Sequence, residues 1–143
     1  MELPIIGETW IIDRLNSEFE GERAIFLYEF KFILVQGPEN QRYVRFGKEG
    51  QGHNEIADDF FYGELSDAVL GNGHGQQYIV GYERRGGGWV RMPDFEESDI
   101  DSPKDHYSLH FYGSSDRLGS FDKGLLERTL LSTSSNRFSY RVD

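Results

Sequence analysis

Residues 24–36, AIFLYEFKFILVQ, are rich in β-branched and aromatic side chains. Because such side chains pack well on a pleated surface, this stretch predicts one long strand, or two strands separated by a kink. The sequence Gly37-Pro38-Glu39-Asn40 predicts a turn directly after it, and Tyr43–Phe46 predicts a second, shorter strand. The first part of the chain therefore contributes to a sheet.

The pattern becomes helical after a glycine-spaced loop at residues 47–52. Apolar residues then recur at helical spacing and form one stripe, made of Ile56, Ala57, Phe60, Phe61, Leu65, Ala68 and Val69. Asn54 is the predicted N-cap, Glu55 suits the first turn, and Gly71 stands where a C′ glycine is expected. The sequence thus predicts a helix from Asn54 to about Val69.

Strands and a second helix alternate over the remaining sequence. The predicted strands are Gln77–Glu83, Gly88–Met92, Tyr107–Tyr112 and Arg137–Val142, with a turn at Gly86-Gly87-Gly88. Ser120 is the predicted cap of a helix that contains Leu125, Leu126, Leu130 and Leu131. This mixture indicates a single α+β domain over residues 1–143, with an N-terminal arm at 1–22 and an acidic surface loop at 93–104.

Composition excludes several classes of function. The 143 residues include no cysteine, which removes disulfides, thiolate nucleophiles and cysteine-based zinc sites. A net charge of −10 argues against binding to nucleic acid or to an anionic membrane surface, because both need a basic face. The sequence contains no apolar run of membrane-spanning length and no signal-peptide pattern at its start, so we expect a cytoplasmic protein. We also expect it to be a monomer.

His53 is the best candidate for chemistry because it directly precedes the predicted N-cap of the first helix. A helix N-terminus offers unpaired N–H groups and about half a positive charge, which favours a bound anion. The same field disfavours imidazolium, and a general base must be neutral to accept a proton. The alternative is a loop histidine without a catalytic task.

The other candidate motifs are weaker. His110 lies in a predicted strand, His74 and His106 lie in loops, and the acidic run at 94–101 lacks the EF-hand spacing. The segment 113–119, GSSDRLG, connects a strand to a helix and could present backbone N–H groups and a hydroxyl to an oxyanion. An ordinary strand-to-helix loop is the alternative interpretation.

From about residue 30 to the end, the chain resembles the phosphohistidine phosphatase (Janus/Ocnus) family. The residues Phe30–Val35, FKFILV, are similar to the family's F-K-Y-V-L-I strand, and Val44-Arg45 precedes His53 at the family's spacing. Gly86-Gly87-Gly88 matches its G-G-G-R-I segment, although Trp89 replaces the arginine. The residues 109–113, LHFYG, followed by Ser115 and Gly119, resemble its I-H-V-Y-G-Y-S-x-x-x-G segment.

The resemblance implies a compact mixed sheet flanked by two α-helices, and hydrolysis of phosphohistidine in proteins without a metal or organic cofactor. It also implies an acid–base role for His53 and substrate contact by Lys31. The phosphate-binding loop falls on Ser115, Asp116 and Arg117, and Arg45 matches an arginine of the family that lies near the site. The chain departs from the family at Gly52, Asn54, Asp116 and Arg117, and an aspartate in an anion loop repels phosphate unless it points away or pairs with the arginine. Two alternatives stay open: a non-catalytic module that binds a phosphorylated or acidic partner, and a metal-dependent hydrolase that uses the acidic run.

Overall fold

The structure is a computed structural model that describes residues 3–9, 11–12, 29–48, 50–71, 79–100 and 102–143. The strands are β1 (Glu29–Gln36), β2 (Arg42–Phe46), β3 (Glu83–Arg91), β4 (Tyr107–Tyr112) and β5 (Phe138–Val142). The helices are α1 (His53–Asp58), α2 (Leu65–Leu70) and α3 (Lys123–Leu131), with a π-helical turn at Asp59–Glu64 between α1 and α2 and a 3-10 turn at Glu97–Ile100. Residues 24–28 of the predicted first strand and 77–78 of a later one lie outside the described residues.

One five-stranded sheet organises the chain, in the order β2-β1-β3-β4-β5. β4 and β5 are parallel and the other neighbours are antiparallel, so the sheet is mixed. One face packs against α3 through a large cluster that includes Phe32, Phe111 and Leu126. The other face packs against α1, the π turn and α2 through a smaller cluster that includes Ile33 and Phe61. The α+β fold with helices on both faces of a mixed sheet is confirmed.

The N-cap of the first helix lies two residues earlier than the sequence predicts. Gly52 is the N-cap, with extended backbone at φ −80° and ψ 167°, and its carbonyl accepts the first helical hydrogen bond from Ile56 N at 3.1 Å. The Glu55 carboxylate accepts a hydrogen bond from Gly52 N at 3.2 Å, as in a capping box. The prediction of Asn54 as N-cap is wrong. Gly52 and Glu55 are three residues apart, which is the spacing of an N-cap and its N3 partner, and the helix uses this pair. His53 is therefore the first residue of the helix.

The three consecutive glycines lie inside a strand, and the predicted turn there is wrong. A Cβ at Gly87 would lie 2.6 Å from the Phe32 carbonyl oxygen, and one at Gly88 would lie 2.5 Å from the Tyr112 carbonyl oxygen. The glycines thus let β3 approach the neighbouring strands closely, because no side chain stands between the backbones. The turn lies earlier, at residues 79–82 with Gly81 at φ +95°, in place of most of the predicted strand Gln77–Glu83.

The C-terminal half follows the predictions with one correction. β4 has the predicted bounds, but the second helix is capped by Asp122, whose Oδ1 accepts a hydrogen bond from Leu125 N at 3.0 Å. Ser120, the predicted cap, instead pairs with Gly87 in an isolated bridge. The predicted acidic surface loop is partly folded, because it contains the 3-10 turn and Asp99 is buried.

The N-terminal segment packs on the sheet edge in the part that is described. Ile6 pairs with Val44 of β2 and is buried, as is Ile11. Residues 13–22 of the predicted arm lie outside the described residues. Among the helices of the described residues, none has both the length and the apolar character that crossing a membrane requires.

Candidate active site

His53 is held against β3 by its ring. The side chain is buried, and its Nε2 lies 2.8 Å from the carbonyl oxygen of Gly88. A carbonyl only accepts, so Nε2 carries the proton and donates it. Nδ1 has no hydrogen-bond partner among the described residues, and it is not fully buried. The imidazole is therefore fixed by one nitrogen and reaches solvent with the other.

The absence of a side chain at Gly87 makes room for this ring. A Cβ at Gly87 would lie 3.0 Å from His53 Cδ2, which is tighter than most side-chain contacts. Gly87 is paired with Ile33 of β1, so it lies on the face that α1 covers. The first turn of the helix can therefore approach the middle of the sheet at this position.

Trp89 joins His53 to Lys31. The indole and the imidazole meet edge to face, with centroids 6.1 Å apart, and Lys31 Nζ lies 5.1 Å from the indole centroid. Lys31 and Trp89 are direct partners in the β1–β3 register, and directly paired residues share one face of a sheet. Lys31 Nζ also donates a long hydrogen bond of 3.4 Å to the carbonyl of Gln51, in the loop before α1. A candidate base and a cation thus both lie next to one indole.

The segment 113–119 lies beside Gly87 and Trp89, but its backbone does not present the predicted set of free amides to an anion. Gly87 N donates to Gly119 O at 3.3 Å, and a Cβ at Gly113 would lie 3.1 Å from Trp89 Cδ1. Two of the three amides expected to bind an anion are used inside the segment: Ser115 N donates to Gly119 O, and Arg117 N donates to the Ser115 hydroxyl. The amide of Asp116 makes none of these hydrogen bonds.

The three side chains of the predicted phosphate loop have different surroundings. The Ser115 side chain is buried, and its hydroxyl oxygen also accepts a hydrogen bond from Leu118 N at 3.0 Å. Ser115 therefore shapes the loop from within. Asp116 and Arg117 are exposed, and they form no ion pair with each other among the described residues. Asp116 points to solvent, the orientation in which its charge is least harmful to a bound anion.

Arg45 is not part of this arrangement. Its buried guanidinium donates all five of its N–H bonds, to the Glu64 carboxylate and to the carbonyls of Pro4, Ile5 and Val44. It also lies over the ring of Phe60, 5.0 Å from the centroid. These contacts tie the N-terminal segment and the π turn to β2. No donor of Arg45 remains for a phosphate, and the position implied by the resemblance has a structural role here.

The remaining titratable side chains have structural partners or lie elsewhere. His106 Nε2 contacts the Ser139 hydroxyl at 2.6 Å. In the acidic loop, Lys104 pairs with both Glu96 and Asp99, and Asp94 accepts the amide of Ser108. Within the described part of the chain, no group of three or more His, Asp or Glu side chains is placed to hold a metal ion.

Sequence reasoning missed the parts of the site that come from β3. The glycine run predicts a turn, and Trp89 enters the prediction only as a departure from the family's pattern. Three glycines next to an aromatic residue in a β-rich region could have indicated the site, because a strand segment without side chains leaves room for a ring from another element.

The chain matches no protein-family model, and a search of curated proteins finds no match.

Proposed function

We propose that this chain is a protein phosphohistidine phosphatase, which hydrolyses the P–N bond without a metal and acts as a monomer in the cytoplasm. The observation that carries the proposal is the fixed imidazole of His53, with its proton on Nε2 at the Gly88 carbonyl and Nδ1 without a hydrogen-bond partner among the described residues. Lys31 supplies a positive charge next to the same indole, with Nζ 5.1 Å from the Trp89 centroid. A base and a cation at one site are what a phosphoryl transfer to water needs.

In the proposed reaction, Nδ1 of His53 removes a proton from a water molecule as the water oxygen attacks phosphorus in line with the P–N bond. The new O–P bond forms while the P–N bond breaks, and the electron pair of that bond goes to the leaving imidazole. The leaving nitrogen takes its proton from solvent on the opposite side of phosphorus, and His53 afterwards releases to solvent the proton that it has accepted. The hydrogen bond to Gly88 orients the ring throughout, so that the base is in position before substrate binds.

Charge on the phosphoryl oxygens must be balanced for this reaction to proceed. Lys31 is the described cation nearest to Trp89, and its 3.4 Å hydrogen bond to Gln51 is weak enough to be exchanged for a phosphoryl oxygen. The amide of Asp116 is the member of the predicted cradle that stays available. Positioning and charge stabilisation of this kind provide most of the catalysis in phosphoryl transfer.

The proposal is tested by following phosphate release from a phosphohistidine peptide. His53→Gln keeps a donor for the Gly88 carbonyl but removes the base, and we expect turnover to fall by a factor on the order of 10² or more. His106→Gln is the matched control and keeps full turnover, because His106 contacts Ser139 away from the site. Turnover that EDTA abolishes and Mg²⁺ or Zn²⁺ restores supports the metal-dependent alternative instead.

A non-catalytic binding module is the second candidate, and one observation favours it. The amides of Ser115 and Arg117 are already bonded within the loop, so the segment offers an anion fewer donors than the resemblance implies. On this alternative the chain binds a phosphohistidine mimic in a titration but releases no phosphate. Turnover that depends on His53 excludes it.

A further inference from the structure

The half of the sheet that α1 leaves uncovered carries a set of cationic and aromatic side chains. The strand register places Lys31, Trp89 and Tyr112 in one row across the sheet. A second row, two residues further along each strand, contains Glu29, Arg91, His110 and Arg141. Because directly paired residues share a face and alternate residues return to it, both rows face the side on which His53 lies.

These two rows, which we term the open face, are accessible. Arg91 and Arg141 are exposed, while Trp89, His110 and Tyr112 are half-buried. The helical segments pack further along the same side, over Ile33 and Val35. The open face is continuous with the candidate active site, because Trp89 belongs to both.

The open face carries more positive than negative charge, although the chain has a net charge of −10. Its cations are Lys31, Arg91 and Arg141, and the carboxylates beside them are Glu29 and Asp143. Glu29 accepts a hydrogen bond from the Tyr112 hydroxyl, and Asp143 pairs with Arg141 at 3.0 Å. The Arg91 guanidinium forms no ion pair among the described residues and lies 5.1 Å from the Tyr112 centroid.

The composition of this surface indicates which class of partner fits it. Tryptophan, tyrosine and arginine are the residues most enriched at the energetic centres of protein interfaces. An arginine that forms no ion pair with the described residues and lies over a tyrosine ring complements a carboxylate next to an apolar side chain. A polynucleotide is disfavoured, because its phosphates continue beyond the open face and over the remaining surface of a chain with a net charge of −10, whereas a short acidic segment can lie within the open face.

We propose that the open face is a docking surface for an acidic segment of the phosphorylated protein, adjacent to the phosphohistidine that enters the site at His53. The identity of this partner rests on the proposed function, whereas the affinity of the open face for an acidic polypeptide does not. Arg91 is the central contact, and Trp89 and Tyr112 of the neighbouring row provide apolar surface.

The first test measures binding without turnover. A fluorescently labelled peptide rich in Asp and Glu with one Leu is titrated with the full chain, and its anisotropy is recorded. We expect saturable binding that weakens with added salt and that Arg91→Glu reduces at least tenfold. Arg85→Glu is the matched control: Arg85 is an exposed arginine of the same strand, paired with Glu83 away from the open face, and its variant binds within twofold of wild type.

The second test separates docking from chemistry. For a phosphohistidine peptide with acidic flanking residues, Arg91→Glu lowers kcat/KM at least tenfold, while turnover of free phosphohistidine is unchanged. If the wild type hydrolyses neither substrate but Arg91→Glu still loses the acidic peptide, the proposed function fails and the docking surface stands.

Three results overturn the docking proposal. The first is an equal loss of affinity for the acidic peptide in the Arg91→Glu and Arg85→Glu variants. The second is equal affinity for a lysine-rich peptide of the same length, and the third is tighter binding of a single-stranded RNA oligonucleotide than of the acidic peptide. Arg141→Glu provides a second variant on the open face should Arg91→Glu lower the melting temperature. Unchanged binding of the acidic peptide in both variants excludes the open face.

Discussion

Replacing Gly87 by alanine tests how closely the His53 ring packs against the sheet. The added methyl group would lie 2.6 Å from the carbonyl oxygen of Phe32 and 3.0 Å from His53 Cδ2. The first contact is with backbone and is shorter than real Cβ contacts allow, so β1 and β3 must separate locally. The second pushes the imidazole away from the Gly88 carbonyl that orients it.

The two contacts have separate costs. Forcing a methyl group into a closely packed site costs about 1–3 kcal/mol of unfolding free energy. At this chain length each kcal/mol corresponds to about 3 °C, so the melting temperature should fall by about 3–9 °C. A displacement of the catalytic ring by a few tenths of an ångström should lower kcat about tenfold, because misplacement by about 1 Å can cost 10²-fold.

Gly63→Ala is the matched control for this prediction. Gly63 lies in the π turn, and a Cβ there would meet nothing within 4 Å. Alanine is favoured over glycine in helices by about 1 kcal/mol, so this variant should be as stable as wild type or more so. Thermal melting followed by circular dichroism gives the stabilities, and phosphate release gives kcat. If Gly87→Ala melts like wild type, the close approach of β1, β3 and the His53 ring is refuted.

Four further predictions follow from individual side chains. Lys31→Ala should raise KM for a phosphohistidine peptide more than it lowers kcat, because ground-state binding is lost; a collapsed kcat with an unchanged KM contradicts this. Arg45→Met should lower the unfolding free energy in urea by about 3 kcal/mol, and Arg45→Lys should not restore it, because lysine cannot satisfy Glu64 and three carbonyls at once. Asp116→Asn should change phosphate affinity by less than about threefold in calorimetry, under about 1 kcal/mol, because Asp116 is exposed; a large gain shows that the carboxylate faces the site. Burial raises the pKa of Tyr107 from 10.0 to about 12, so the unfolding free energy should decline as the pH rises from 10 through 12, and ultraviolet titration should show a tyrosine that ionises late.

The sequence is informative where one periodicity dominates. β4 has its predicted bounds, and the apolar stripe lies on the covered side of the first helical region from Ile56 to Leu65, whereas Val69 at the end of the predicted stripe is 52% exposed. The helix starts are less certain, because Gly52 and Asn54 are both acceptable caps, as are Ser120 and Asp122. Only tertiary contacts distinguish them: Ser120 is used in the bridge to Gly87.

The candidate site could be predicted only in part, because its parts meet through the sheet. The position of His53 at a helix start and the presence of Lys31 in a strand are visible in the sequence. Their meeting at Trp89 depends on the β1–β3 register, which local patterns do not specify. The structural role of Arg45 depends on carbonyls about 40 residues away along the chain, and the internal bonding of the 113–119 segment depends on loop geometry.

The central claim is that His53 drives hydrolysis of a phosphohistidine P–N bond without a metal. The most direct measurement is a phosphorus NMR time course of a phosphohistidine peptide, in EDTA, with wild type and with His53→Gln. We expect the phosphoramidate resonance to be replaced by that of inorganic phosphate with catalytic amounts of wild type, and on the order of 10² times more slowly with His53→Gln. A phosphoramidate resonance that persists with wild type, or that disappears equally fast with both proteins, contradicts it.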